Sequence, residues 1–402
     1  MKRVAFFAYG IGDISGGGGY ERFFSDFFTD YSKDKNKKYD LLLITDNLDA
    51  FKREGKLMEN YSNVIQFKDY RYKLYYDLTD KFPLIKALFR WYRTLYTQKA
   101  FLRQLKENKV DILHLPNYLK SYFFLISYIS KAKGIKTAVT VVDCRIPYMY
   151  DSNDEYYVTA GATSHTFKPL FEKVKPDGIF TWYKSFKEFV TKNKLVNSST
   201  VVYPVKSRYV NYSGQVPAFS EKKNEIIFAG RLDGQKRPML FAKAVNIALK
   251  KEPVLLADWK FRIFGKGVLE NEVESFINEN KLQRHLELSF SPDMKSILKG
   301  SKCLVSTQAY ENFPSLSVYE AMVTGNAVIA CNVGQTAEFI KDNVNGILVE
   351  NEAEEDLADA IIKYVSKPGT HEQFYKNNIK LCSEEHTYPA FKNQIEEFWD
   401  SL

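Results

Sequence analysis

Short runs of β-branched and aromatic residues alternate with longer segments of helical periodicity along almost the whole chain. Apolar runs at 4–9, 39–45, 64–67, 112–115, 137–143, 178–182 and 200–203 predict strands in the first half. Runs at 225–229, 259–264, 286–290, 303–308, 327–331 and 346–349 predict strands in the second. Between them, apolar positions at helical spacing predict helices over 20–32, 238–251, 269–280, 318–324 and 357–365. Strands that are apolar throughout, separated by helices, form parallel sheets covered on both faces. The pattern restarts once, after a polar stretch. The expected class is therefore α/β: two doubly wound domains over 1–205 and 225–386, joined by a linker at 206–224. Ligands of such sheets bind beyond the carboxyl ends of the strands, here in a cleft between the two domains. The segment 387–402 reads as a last helix with Phe391, Ile395, Phe398 and Trp399 at helical spacing, which needs a surface to pack on.

Composition agrees with two globular bodies. The chain has 402 residues, 45% apolar and 26% charged, too long for one core and too apolar for disorder. The net charge of +8 is uneven: residues 1–210 carry +13 and the rest −5. The basic half calls for an anionic partner. Much of its excess lies in 81–110, where eight Lys or Arg face one acid and are interleaved with Phe, Leu, Trp and Tyr. Such a segment is a helix packed on the sheet, a helix lying on an anionic membrane surface, or both. No nucleic-acid module accompanies it, so no nucleic-acid partner is expected. Met1-Lys2-Arg3 leads into an apolar run too short for a signal peptide, and no run reaches the ~18 residues of a membrane span. The four cysteines lack C-x-x-C spacing and predict neither a disulfide nor a zinc site. The expected location is the cytoplasm, peripheral to the inner face of the membrane.

Three constellations carry candidate chemistry. The first is the glycine loop after the first strand, Gly10-Ile11-Gly12 through Gly16-Gly17-Gly18-Gly19-Tyr20-Glu21-Arg22. Glycines let backbone approach a ligand, and the helix that follows offers free N–H groups to a phosphate. A dinucleotide fingerprint is a rival here, with Gly10-x-Gly12 and Asp46 at the end of the next strand, although Ser15 stands at the third glycine position. The second is Gly230-Arg231-Leu232-Asp233-Gly234-Gln235-Lys236-Arg237-Pro238, where Arg231 and Lys236 can neutralise a diphosphate beside a helix N-terminus. The third runs from Gln308 through Glu311, Phe313, Pro314 and Ser315 to Glu320, followed by Gly325 and another apolar strand. Glu320 lies among apolar helix neighbours, so it is no ordinary surface acid. Carboxylates in these places suit the hydroxyls of a sugar. His114, at a strand end, and Asp143 are candidates on the other side of the cleft. His285, His371 and His386 read as surface residues. No His/Asp/Glu cluster has metal-ligand spacing.

With these motifs in this order, the chain resembles the retaining glycosyltransferases of family 4, which have a B-type fold of two Rossmann-like domains. The resemblance spans nearly the whole chain. It implies that Gly17, Gly18 and Gly19 approach the donor, and that Gly230, Arg231, Lys236, Gly265, Phe313, Pro314, Ser315 and Glu320 bind it. Arg231, Lys236 and Glu311 would carry catalysis, with Glu311 on the transferred sugar and Glu320 on the donor ribose. His114 and Asp143 would face the acceptor, and the last helix would cross back to the first domain. The nucleotide sugar, UDP- rather than GDP-linked, would be a co-substrate with no cofactor and no metal, and the acceptor a glycan or a lipid-linked glycan. Two departures stand out. Eight residues separate Glu311 from Glu320 where the family has seven, and Val142 stands where many members carry a catalytic histidine. Two other readings follow from the same residues: a dinucleotide-dependent oxidoreductase built on the first loop, and a non-catalytic nucleotide- or glycan-binding relative.

Overall fold

The computed structural model describes residues 1–7, 19–45, 63–66, 101–115, 134–141, 175–194, 196–210, 215–313, 315–350 and 353–402. The chain divides into two compact units, Met1–Lys206 with Tyr388–Leu402, and Ser207–Thr387.

The first unit is built from β1 (Arg3–Phe7), α1 (Gly19–Lys33), β2 (Asp40–Thr45), β3 (Val64–Gln66), β4 (Ile112–Leu115), β5 (Lys136–Val141), β6 (Gly178–Thr181), α2 (Lys184–Lys192) and β7 (Val201–Pro204). Its strands form one parallel sheet in the order β3-β2-β1-β4-β5-β6-β7. In α1, Phe23, Phe27 and Tyr31 fall four residues apart, with Phe24 and Phe28 beside them, and all five are buried. That stripe lies on the sheet through Phe6, whose ring sits 5.1 Å from Phe24 and 4.6 Å from Phe28.

The second unit contains β8 (Lys223–Ala229), α3 (Pro238–Lys251), β9 (Lys260–Phe264), α4 (Glu270–Glu279), β10 (Leu286–Ser289), α5 (Met294–Gly300) and β11 (Ser301–Ser306). It continues with α6 (Leu316–Val323), β12 (Ala327–Cys331), α7 (Thr336–Phe339), β13 (Gly346–Val349), α8 (Glu354–Val365) and α9 (Pro368–Glu385). Its parallel sheet has the order β10-β9-β8-β11-β12-β13. Strand order thus reverses between β8 and β11, a switch point that opens a crevice beyond their carboxyl ends. Ile226, Phe228, Ile263, Val305 and Ile329 form the middle of its core. Cys303 and Cys331 are buried in adjacent strands, as their apolar surroundings predict.

The last helix, α10 (Tyr388–Asp400), belongs to the first unit. Phe391 stands 4.9 Å from both Phe23 and Phe27 and stacks on Trp182. The buried Glu396 accepts a hydrogen bond from Tyr31 Oη at 2.8 Å. Gly178 is glycine because a Cβ there would lie 2.7 Å from the Phe398 ring. Two doubly wound α/β domains with a returning helix are what the sequence predicts.

Two expectations need correction. The stretch 206–224 is not a free linker over its described residues. Ser207, Arg208 and Lys222 are buried, and Phe219–Glu221 makes one 3-10 turn. Lys222 Nζ donates to the carbonyls of Leu298, Lys299 and Ser301 at 3.3, 3.1 and 2.7 Å, where a cation suits the end of α5. Burial pushes its ammonium down to about 7. Second, His371 and His386 are buried rather than superficial, and His285 is half-buried.

Of the basic aromatic segment, 81–100 lies outside the described residues. Its remainder turns helical over 101–107. Phe101 and Leu105 enter the first unit's core, and Arg103 pairs with Glu107 at 2.7 Å on the surface. Among the described residues, no helix is long and apolar enough to cross a membrane.

Candidate active site

At the carboxyl end of β8 the chain turns sharply at Gly230. Gly230 N donates to Phe264 O at 3.0 Å, and Leu232 N to Lys266 O at 2.9 Å. The loops after β8 and β9 are thereby zipped backbone to backbone. Gly265 permits this, since a Cβ on it would overlap the Gly230 carbonyl. Asp233 shapes the rest of the turn: its Oδ1 accepts from Gln235 N at 3.1 Å and Lys236 N at 3.0 Å. Its Oδ2 lies 3.1 Å from the guanidinium of Arg231, which remains largely exposed.

Arg237 has φ 50°, a left-handed conformation, just before Pro238 opens α3. Its guanidinium donates to Thr307 O at 2.7 Å and Gln308 O at 3.0 Å. In return Thr307 Oγ1 donates to the carbonyl of Lys236 at 2.7 Å. The β8–α3 loop is therefore clamped to the end of β11. Lys236 Nζ then meets Gln308 Oε1 at 2.6 Å.

Glu311 sits on the loop after β11 and is buried. Its Oε1 accepts from Phe313 N at 2.9 Å, and both oxygens accept from Gln335 N at 3.0 and 2.9 Å. Burial raises its carboxyl to about 7, against the pull of the Phe313 and Gln335 amides. Gly334, with φ +57°, leaves room for the carboxylate. A Cβ there would come within 2.5 Å of Glu311 Cδ. Phe313 is buried, its ring 5.5 Å from that of Phe339. Ser315 caps α6 in extended backbone, its hydroxyl 3.2 Å from that of Ser317. The first turn of a helix has N–H groups with no intrahelical acceptor, so α6 begins with donors suited to an anion. Glu320, on the same helix, is buried, as its apolar neighbours predict. The extra residue between the glutamates falls in the loop ahead of α6 or in its first turn.

Arg231, Lys236, Gly230, Gly265, Glu311, Phe313, Ser315 and Glu320 thus all belong to the second unit. Most of them lie on the loops at the carboxyl ends of β8, β9 and β11. The cations come from one side of the switch point and the buried acid from the other. That arrangement can neutralise an anion while holding hydroxyl groups.

Gly17, Gly18, Pro314 and Asp143 lie outside the described residues, as do Gly10, Asp46 and Val142. Gly19 begins α1. His114 is corrected. It is fully buried in the first unit, with Nε2 2.7 Å from Thr140 Oγ1 and Nδ1 accepting from Trp399 Nε1 at 3.0 Å. Burial holds it down at about 3, so it is a neutral core histidine with both ring nitrogens engaged, not an acceptor-binding residue. Gln308, Asn312, Arg237 and Gly334 were not singled out from the sequence. The signal for Gln308 is a polar side chain closing an apolar strand run.

Residues 213–381 match the family described as Glycosyl transferases group 1. The poly(ribitol-phosphate) alpha-N-acetylglucosaminyltransferase of Staphylococcus aureus (strain COL) is 31% identical over 138 residues, 34% of this chain and 27% of that protein. The UDP-Gal:alpha-D-GlcNAc-diphosphoundecaprenol alpha-1,3-galactosyltransferase of Escherichia coli is 30% identical over 146 residues, 35% of this chain and 37% of that protein. The chain spans roughly a third of the length of the curated relatives it matches. Among solved structures, sucrose-phosphate synthase from Thermosynechococcus elongatus superposes with a TM-score of 0.71 at 14% identity, covering 100% of this chain and 99% of that one. Anabaena Alr3699/HepE in complex with UDP and glucose gives 0.70 at 15%, covering 100% of each. At these identities the likeness is one of fold.

Proposed function

We propose that this chain, whose residues 213–381 match the group 1 glycosyl transferases, moves a sugar from a nucleoside-diphosphate donor to a glycan or lipid-linked acceptor. The reading includes retention of anomeric configuration, UDP preferred over GDP, and a role in assembling bacterial surface polysaccharide. The observation that carries it is the placement of Lys236 on the loop after β8 and of the buried Glu311 on the loop after β11, the two strands that flank the switch point of the second sheet. Two relatives support the substrate classes: by their names one transfers to a poly(ribitol phosphate), and the other takes UDP-Gal to a diphosphoundecaprenol-linked sugar.

In this reading Arg231 and Lys236 bind the donor diphosphate. They stabilise the charge that grows as the bond from the anomeric carbon to the phosphate oxygen breaks, without needing a metal ion. The acceptor hydroxyl attacks the same face, and its proton passes to the departing phosphate oxygen. Glu311 holds hydroxyls of the transferred sugar, and Glu320 those of the ribose. Gly17 to Gly19 approach the donor, and Asp143 serves the acceptor. Residues 81–110 rest on the anionic inner face of the membrane.

The test is turnover of a panel of UDP- and GDP-sugars by the full chain and by Lys236→Ala and Glu311→Ala. Each substitution should cost about 10²–10³ in rate in a chain that still folds. Wild-type turnover in either variant sinks the assignment. A thermal-shift comparison of UDP, GDP and NAD separates this reading from an oxidoreductase, since a ligand at about 100 times its Kd adds roughly 2.7 kcal/mol.

A further inference from the structure

We propose that Gln308 is a positioning residue for Lys236, holding the ammonium in place while leaving its charge intact; this rests on the donor reading above. The basis is a run of hydrogen bonds with only one polarity. Asn312 is fully buried, and its Nδ2 donates to Cys331 O at 2.8 Å and to Thr336 Oγ1 at 3.0 Å. Thr336 Oγ1 in turn donates to Val333 O. These contacts fix which end of the Asn312 amide is nitrogen. Its Oδ1 must then be the acceptor, and it takes Ser306 Oγ at 2.5 Å and Gln308 Nε2 at 3.3 Å. With its nitrogen turned toward Asn312, Gln308 presents its carbonyl oxygen to Lys236 Nζ at 2.6 Å. Each amide orientation follows from the next, back to the β12–α7 loop that also supplies Gln335 N to Glu311. One small network therefore sets both the cation and the acid.

The choice of an amide has a chemical consequence. A carboxylate at 308 would fix the lysine equally well but would add a countercharge beside the group that must meet a diphosphate. It would also turn a lone pair toward Asn312 Oδ1, where a donor now stands. A neutral acceptor orients without cancelling.

The test is calorimetric titration of UDP and of GDP into the full-length wild type, Gln308→Ala, Gln308→Glu, Lys236→Ala and the Lys236→Ala/Gln308→Ala double variant, with melting curves for each. Gln308→Ala should weaken the better-bound nucleotide roughly tenfold, the scale of one hydrogen bond to a charged group. Adding Gln308→Ala to Lys236→Ala should change affinity by less than about twofold. Gln308→Glu should bind more weakly than Gln308→Ala, the reverse of what a shape-filling role gives. Wild-type affinity in Gln308→Ala, or an undiminished effect of that substitution without Lys236, overturns the inference alone. A wild-type chain that binds neither UDP nor GDP overturns the donor reading, and this inference with it. If Gln308→Ala melts below the assay temperature, the comparison of Gln308→Glu with wild type decides: affinity equal to wild type refutes the role.

Discussion

Gly334→Ala probes the Glu311 seat without touching the acid itself. At φ +57° an alanine pays the left-handed penalty of about 1–2 kcal/mol. Its Cβ would also sit 2.5 Å from Glu311 Cδ and 2.9 Å from Oε1, so the carboxylate must leave the Gln335 amide. Losing a hydrogen bond to a charged, buried group adds about 1.5–3 kcal/mol. The sum is roughly 3–5 kcal/mol, or about 10 °C in the melting point of a unit this size. The two contributions separate in a double-mutant cycle with Glu311→Ala. Without the carboxylate, Gly334→Ala should cost only the backbone part, about 1–2 kcal/mol. Scanning calorimetry of the four proteins reads both. A melting point for Gly334→Ala within about 2 °C of wild type, or strictly additive losses, refutes the steric account of this seat.

Two further outcomes follow from buried polar groups. Among the described residues the Tyr319 hydroxyl has no hydrogen-bond partner, while its ring stacks on Phe339 at 5.4 Å and stands edge-on to His386 at 4.6 Å. Tyr319→Phe keeps both ring contacts and should stabilise the protein by about 1 kcal/mol in urea unfolding; a loss of that size contradicts the reading. Burial lowers His114 to about 3 and His386 to about 4, and lowers His371 as well, so the unfolded chain binds protons that the folded chain refuses. Their stabilisation is full above the ordinary histidine range, near pH 6.5, and drains away as pH falls toward 4. Glu311, raised to about 7, works in the opposite sense but is one group against three. Unfolding midpoints should therefore decline between pH 6.5 and 5, above the usual carboxylate range, and a flat profile there argues against neutral core histidines.

Much of this was readable from residue order, because parallel strands buried on both faces announce themselves as continuous apolar runs. The strands Ile112–Leu115, Ala327–Cys331 and Gly346–Val349 and the helix Pro238–Lys251 have the limits that their apolar runs predict. The helix Pro368–Glu385 was not predicted, because its buried stripe is His371, Phe374, Asn378 and Cys382, half of it polar. Asn378 earns its burial by donating to the carbonyls of Asn326 and Asn345, at 2.8 Å each. Hydropathy cannot register a partner that lies 52 residues away. His114 failed for the mirror-image reason. A polar residue at a strand end looks accessible until Trp399, 285 residues later, is known to cover it. In the candidate site, Arg231, Lys236, Glu311 and Glu320 were visible as motif residues. The amides beside them, Gln308 and Asn312, become meaningful only through the tertiary hydrogen bonds they make.

The placement of the last helix has a consequence for how the chain matures. Phe391, Phe398 and Trp399 complete the core around Phe23, Phe180 and His114, yet they follow the entire second unit in the chain. During synthesis the first unit therefore waits, its aromatic surface open, while residues 207–387 emerge and close on themselves. The unit made first is finished last, and the stretch between is when a chaperone, or a neighbouring copy, would find the most exposed phenylalanine.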